Sequence, residues 1–143
     1  MTSGDVEHGV GYLVKRVQQA LRRSCDSALR PTGLTMAQYA VLRALADHPA
    51  ASASELARLC FVTRQSLQDV LRSLRADGFI DDADGPQRGR ARALRLTTAG
   101  RRRLESAHRT VLGVEAAMVR GIPKGTEAQL AALLMQCAEN LED

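Results

Sequence analysis

Apolar residues recur every three or four positions through most of this chain, which is the spacing of one face of an α-helix. The first such run covers residues 6–29, and its apolar face consists of Val10, Leu13, Val14, Val17, Leu21, Cys25 and Ala28. Pro31 and Gly33 follow, and both residue types end helices. The pattern therefore predicts one long N-terminal helix.

Three short helices are predicted next, each introduced by a hydroxyl side chain that can accept a backbone hydrogen bond. Thr35 with Gln38 and Ser52 with Glu55 form capping boxes, in which the two ends of a four-residue segment satisfy each other's backbone N–H. Thr63 is a simple N-cap for the third helix. The buried stripe of this third helix is predicted to consist of Leu67, Val70, Leu71 and Leu74.

The hydrophobic period changes after Gly78, a residue suited to the left-handed backbone that follows many helices. Residues 79–80 and 91–96 have the composition of short strands, and residues 84–89 that of the turn between them. Arginines mostly alternate with smaller apolar residues toward the second strand, as a strand with two different faces requires. The pattern therefore predicts a basic β-hairpin.

Two further helices complete the chain. A long helix opens at Thr97, and Pro123 and Gly125 break it. Residues 126–129 form a capping box for the last helix, whose apolar stripe consists of Leu130, Leu133, Leu134, Cys137 and Leu141. The predicted fold class is mainly α with a small β-hairpin, arranged as a winged helix-turn-helix with additional helices at both ends.

The distribution of charge changes what this fold is expected to bind. The net charge is +4, and residues 85–104 contain no acid but seven arginines, Arg88, Arg90, Arg92, Arg95, Arg101, Arg102 and Arg103. The last 18 residues contain acids but no lysine or arginine. Arginine suits phosphates and the edges of guanine, so one end of the molecule is expected to face a polyanion.

The third short helix has the composition of a DNA recognition helix. Its apolar stripe leaves Arg64, Gln65, Gln68 and Arg72 on other faces, where arginine can pair with guanine and glutamine with adenine. Thr63 and the first backbone amides lie where a phosphate would bind. The alternative is a surface helix with solvated side chains, which the neighbouring capped helix and basic hairpin disfavour.

The hairpin is the second expected contact with DNA. Arg88 and Arg90 near its tip, followed by Arg92, could enter the minor groove, whose potential attracts arginine. The alternative is a solvated loop whose charges keep the protein in solution. The lack of compensating acids after Asp84 favours contact with DNA.

Four segments resemble, in order and spacing, the signatures of the multiple-antibiotic-resistance regulator (MarR) family: residues 34–39, 54–57, 74–80 and 96–100. The resemblance covers nearly the whole chain. It implies a homodimer with an N-terminal dimerisation helix (residues 1–33), a DNA-binding region (34–99) and C-terminal dimerisation helices (100–143). It also implies repression at a palindromic operator, relieved by a small, often aromatic, ligand or by thiol oxidation.

The hairpin departs from the family pattern at two places. Family members usually carry Asp-x-Arg before the second strand, and the position of that aspartate is occupied here by Arg88. An arginine typical of the start of the hairpin is replaced by Asp81 and Asp82. The hairpin is therefore expected to lack the acid-base pair that usually braces its tip.

A ligand pocket, if the resemblance extends that far, is expected where the terminal helices meet the winged domain. Its candidate lining residues are Tyr12, Arg16, Met36, Tyr39 and His108, and the alternative is that these side chains simply pack. Cys25 is a candidate redox sensor, although a cysteine on an apolar stripe usually acts as a small hydrophobe.

Other kinds of chemistry have little support in the sequence. Three widely spaced cysteines do not form a disulfide framework, and the three histidines are too far apart in sequence to predict a metal site. No phosphate loop, nucleophile elbow or paired carboxylate motif is present, and no apolar run approaches the length of a membrane span. We therefore expect a cytoplasmic DNA-binding regulator that is not an enzyme and needs no cofactor, the alternative being a winged-helix module that binds proteins.

Overall fold

Six α-helices and a two-stranded hairpin make up the part of the chain that the computed structural model describes, residues 3–82 and 94–142. In chain order they are α1 (Val10–Leu29), α2 (Met36–Asp47), α3 (Ala53–Leu59), α4 (Arg64–Ala76), β1 (Ile80–Asp82), β2 (Leu94–Leu96), α5 (Thr98–Met118) and α6 (Lys124–Leu141). The strands are antiparallel, with Ile80 opposite Leu96. The predicted fold class is confirmed.

Four helices begin at the caps that the sequence predicts. Thr35 and Ser52 each form a complete capping box, and their hydroxyls accept the N–H groups of Gln38 and Glu55, both at 3.1 Å. Thr63 and Thr97 cap α4 and α5 in the same way, without a returning side chain. Each such cap stabilises its helix by about 1 kcal/mol and fixes where the helix starts.

The first and last helices begin differently from the prediction. A 3₁₀ turn covers Ser3–His8, and α1 starts after Gly9 rather than at residue 6. The capping box predicted at residues 126–129 is wrong, because α6 begins at Lys124 with Pro123 as its N-cap. The ring of Pro123 already fixes a backbone φ of −58°, so the helix starts there without a side-chain cap.

The core lies around α2, which contacts α1, α3, α4, α5 and β2. Its largest fully buried side chains come from four different elements: Leu29, Val41, Leu42, Leu67, Leu74 and Ile80. Burying one such side chain contributes about 1.5–3 kcal/mol, so these few residues provide much of the stability of the fold. Packing on α2 therefore determines where α4 and the hairpin lie.

A carboxylate links the long N-terminal helix to this core. Asp26 of α1 accepts the backbone N–H of Met36, the first residue of α2, at 2.9 Å. The negative charge of Asp26 also interacts favourably with the positive end of the α2 dipole. The two helices are thus joined by a directed hydrogen bond as well as by apolar contacts.

Apolar side chains on the outer helices have no cover within the described chain. On α1, Val10, Leu13, Val14 and Val17 are exposed, and α6 buries none of its side chains. Leu133, Met135 and Leu141 of α6 are each more than 60% exposed. Only the C-terminal part of the predicted α1 stripe, Cys25 with the adjoining Leu29, is buried in the protomer.

The hairpin approaches α5 most closely at Gly100. A methyl group at that position would lie 2.0 Å from the carbonyl oxygen of Phe79, which itself accepts the N–H of Thr97 at 3.0 Å. Thr97 also donates its hydroxyl to the carbonyl of Gly78 at 2.6 Å. Gly100 therefore permits the contact that places the base of the hairpin beside α5.

Replacing Gly100 with alanine should destabilise the protein by about 1–3 kcal/mol, because the new methyl group must displace the Phe79 backbone. The free energy of unfolding in urea measures this change. Gly125→Ala is the matched control, since a Cβ at residue 125 meets nothing within 4 Å and alanine favours a helix. Equal stability of Gly100→Ala and the wild type would contradict the close approach.

Candidate nucleic-acid interface

Helix α4 buries one face and leaves the other exposed. Leu67, Leu71 and Leu74 are buried against the core, as predicted, and Val70 is half-buried. The side chains predicted to contact DNA are all exposed: Thr63, Arg64, Gln65, Gln68 and Arg72. Thr63 caps the helix, accepting the N–H of Ser66 at 3.0 Å. The result is a polar helix face that is fixed in orientation and open to a partner.

The structure adds Asp69 to this face, a residue that the sequence analysis did not single out. Gln65 donates its amide to the carboxylate of Asp69 at 3.2 Å, and Arg72 forms an ion pair with the same carboxylate. The signal was present in the spacing, because residues three and four apart on a helix are neighbours. Asp69 therefore orients two of the candidate DNA-contacting side chains, Gln65 and Arg72, in the free protein.

A hydrogen-bonded connection holds α4 against α2. Gln38 donates its amide to Ser73 at 3.1 Å, and Ser73 donates to the carbonyl of Val70 at 2.8 Å. The side-chain carbonyl of the same Gln38 accepts the backbone N–H of Thr35 at 3.0 Å, which is the capping role that the sequence predicts. One side chain thus both starts α2 and fixes α4 against it.

Two ion pairs brace the base of the hairpin. Asp81 of β1 pairs with Arg95 of β2 at 2.8 Å, and Asp82 pairs with Arg75 of α4 at 3.2 Å. These acids are the ones that depart from the family pattern, and here they join the two strands to each other and to α4. Arg88, Arg90 and Arg92 lie outside the described residues, so their predicted contacts and the expected lack of a brace at the tip stay predictions.

Two of the predicted pocket residues form a close pair. Tyr39 is buried, its hydroxyl lies 2.9 Å from Nδ1 of His108, and the two rings stack with centroids 6.3 Å apart. Burial is the main reason that the pKa of Tyr39 is raised, so its hydroxyl stays protonated at neutral pH. Tyr12 and Arg16 are exposed on α1.

A cavity of about 370 Å³ lies between α2, β2 and α5. Of the five predicted pocket residues, His108 alone lines this cavity. Its other lining side chains are mainly arginines and leucines, including Arg43, Arg95, Arg101, Leu45, Leu94, Leu96 and Leu104. The acid Glu105 also lines it, and its carboxylate pairs with Arg109. Arg43 pairs with Asp47 and Arg95 with Asp81, whereas Arg101 has no ion pair within the described chain. This combination of charge and apolar surface suits a small organic anion.

The described cysteines are free thiols in different surroundings. Cys25 is completely buried, and its pKa is raised by desolvation and then by the nearby charges of Glu115 and Asp26. A raised pKa lowers the thiolate fraction at neutral pH, and the thiolate is the form that oxidants attack. Burial and pKa both favour packing as the role of Cys25 over sensing.

Two other kinds of feature are absent from the described residues. Within residues 3–82 and 94–142, no group of three or more histidine, cysteine, aspartate or glutamate side chains is placed to hold a metal ion. Over the same ranges, no helix is both long enough and apolar enough to cross a bilayer.

Two capped helices joined by a tight turn, followed by a braced β-hairpin, define a winged helix-turn-helix protein. The sequence model of the MarR family matches residues 32–91. The chain is 32% identical over 125 residues to the HTH-type transcriptional repressor Rv2887 of Mycobacterium tuberculosis, covering 87% of this chain and 90% of that protein. The chain belongs to the MarR family of transcriptional regulators, which is not a class of enzymes.

Solved structures of Rv2887 have the same architecture. Its complex with salicylic acid aligns with a TM-score of 0.77 at 31% identity, covering 90% of this chain and 96% of that one. Its complex with DNA aligns with a TM-score of 0.74 at 30% identity, covering 94% of this chain and 98% of that one. The likeness therefore includes the terminal helices as well as the DNA-binding region.

Proposed function

We propose that the protein is a dimeric transcriptional repressor in the cytoplasm, that it binds a specific DNA operator, and that a small organic anion releases it. The observation that carries this proposal is the exposed polar face of α4, capped by Thr63 and fixed by Gln38 and Ser73. A relative at 30% identity has been solved in complex with DNA, which supports DNA binding as the function of this chain.

The residues of α4 divide into two roles. Arg64, Gln65 and Gln68 lie in the first turns, the part of a recognition helix that enters the major groove, and they read base edges. Arg72 lies about one turn beyond Gln68 and contacts phosphate, as do Thr63 and the first amides. From the sequence, Arg88, Arg90 and Arg92 of the hairpin contact the minor groove.

Replacing Gln65 and Gln68 with alanine should reduce the preference for the operator over random DNA by about tenfold or more, since each good base contact is worth about 1–3 kcal/mol. The probe is a duplex selected by the wild-type protein from a random library, and fluorescence anisotropy gives both affinities. Gln129→Ala on α6 is the control.

Unchanged discrimination in the Gln65 and Gln68 variant would contradict the assigned role of α4. A wild-type protein that selects no duplex even at low salt would favour the alternative function, a module that binds other proteins. The two failures are distinct, because the second appears before any variant is made.

A second copy of the chain is the proposed cover for the outer helices. The exposed apolar side chains of α1 and α6 form extended stripes, and patches of this kind mark protein interfaces. An apolar cavity between α1 and α5, lined by Val17, Leu21, Val114 and Met118, continues the α1 stripe. A two-fold dimer would cover these faces and present two α4 helices to a palindromic site.

Leu134→Glu should convert the dimer to a monomer at micromolar concentration, because it places a charge in the apolar stripe of α6. Sedimentation velocity measures the mass. Ala132→Glu adds the same charge to the same helix on the face opposite the stripe, and should remain a dimer. A monomeric wild type would overturn this arrangement.

The cavity between α2, β2 and α5 is the proposed effector site. Arg101 supplies a positive charge, His108 supplies a ring nitrogen for hydrogen bonding, and the leucines supply an apolar wall, which together suit an aromatic carboxylate. Rv2887 has been solved with salicylic acid, an anion of this class. Because β2 forms one wall, a bound ligand would act on the hairpin directly, and the burial of Cys25 favours a ligand over an oxidant as the signal.

Salicylate should release the protein from its selected duplex, and Arg101→Ala should raise the concentration required by about tenfold, the equivalent of one lost charged hydrogen bond. Titration of the protein-DNA complex with salicylate measures this. Arg102→Ala is the matched control, because Arg102 lies beside a different cavity with Pro31 and Thr32. An equal effect of both variants would place the ligand elsewhere.

A further inference from the structure

The turn between α3 and α4 contains a residue in an unfavourable conformation. Phe61 has a φ of +56°, the one non-glycine residue with positive φ in the described chain. A β-carbon is crowded there, which is why glycine or asparagine usually occupies such positions. The side chain of Phe61 is also 92% exposed.

Among the residues that the structure describes, nothing compensates for this placement. The hydrogen bonds of Phe61 and Val62 use only backbone atoms: Phe61 donates its N–H to the carbonyl of Arg58 at 3.2 Å, and Val62 donates to that of Ala57 at 3.0 Å. A glycine could form both bonds without the strain. Phenylalanine therefore brings neither a better backbone nor buried apolar surface to the free protein.

The surroundings of Phe61 indicate what covers it. Thr63, the cap of α4, is two residues away, so Phe61 lies in the turn that leads into the end of α4 carrying the proposed base-reading residues. Arg58 and Arg64 flank it and are exposed. No acidic residue occurs between Glu55 and Asp69. Phe61 is thus an exposed apolar residue in a segment whose charges are all positive, and this segment leads into the proposed DNA interface. Such a segment fits an anionic partner that also has apolar surface.

We propose that Phe61 packs against the apolar surface of the operator, either a thymine methyl group or a deoxyribose ring, and thereby adds to affinity. This inference rests on the proposed DNA-binding function. Phenylalanine is among the side chains that contact thymine methyl groups in the major groove. On this proposal, Phe61 strains the turn of the free protein because its ring strengthens the complex with DNA.

Three variants separate strain from DNA contact. Phe61→Gly and Phe61→Asn relieve the positive φ but remove the ring, so their midpoint of thermal unfolding should equal or exceed that of the wild type. Their affinity for the selected duplex should fall by about tenfold, the order of one lost specific contact. Phe61→Leu keeps both strain and apolar surface, so it should retain most of the affinity.

The same variants are then tested on a duplex with uracil in place of thymine. If the wild type loses its advantage over Phe61→Gly there, the contact is to a methyl group, and if it keeps that advantage, the contact is to deoxyribose. Binding by Phe61→Gly and Phe61→Asn that matches the wild type would overturn the inference. So would a parallel loss of stability and affinity, which indicates a structural role. A wild type that binds no duplex would instead overturn the proposed function.

Discussion

The burial of one face of α4 against α2 is the constraint on which the rest of the molecule depends. Leu67, Leu71 and Leu74 occupy one stripe of the helix, and their removal from water fixes its rotation about its own axis. That rotation decides which residues remain outside. If the apolar stripe were displaced by one residue along the sequence, the helix would rotate about its axis, and its glutamines and arginines would no longer face a partner.

Much of the fold could be predicted from the sequence because its signals are local. The caps at Thr35, Ser52, Thr63 and Thr97 each act within four residues, so they can be recognised without knowing what lies beyond. The start of α6 was missed because two local signals compete there, and the fixed backbone of Pro123 prevailed over the hydroxyl of Thr126. The exposure of α1 could not be foreseen from its stripe, since a periodic pattern does not say which chain covers it.

The candidate site was predicted less completely, because it depends on contacts between distant segments. The pairing of Gln38 with Ser73 spans 35 residues, and the pairing of Tyr39 with His108 spans 69. Asp69 escaped notice for a different reason, since an acid on a DNA-binding face contradicts the expectation of positive charge. Its carboxylate orients Gln65 and Arg72. In the proposed complex the same charge would repel phosphate and so weaken binding to all DNA.

The hydrogen bond from Met36 to Asp26 has a geometrical consequence. It ties the first turn of the DNA-binding region to a helix that, in the proposed dimer, belongs to the interface between subunits. In that dimer a tilt of α1 would pull on α2 through Asp26, and on α4 through Gln38. In such a dimer the α1 helices would set the distance between the two recognition helices. That distance in turn would determine how many base pairs separate the two halves of the operator.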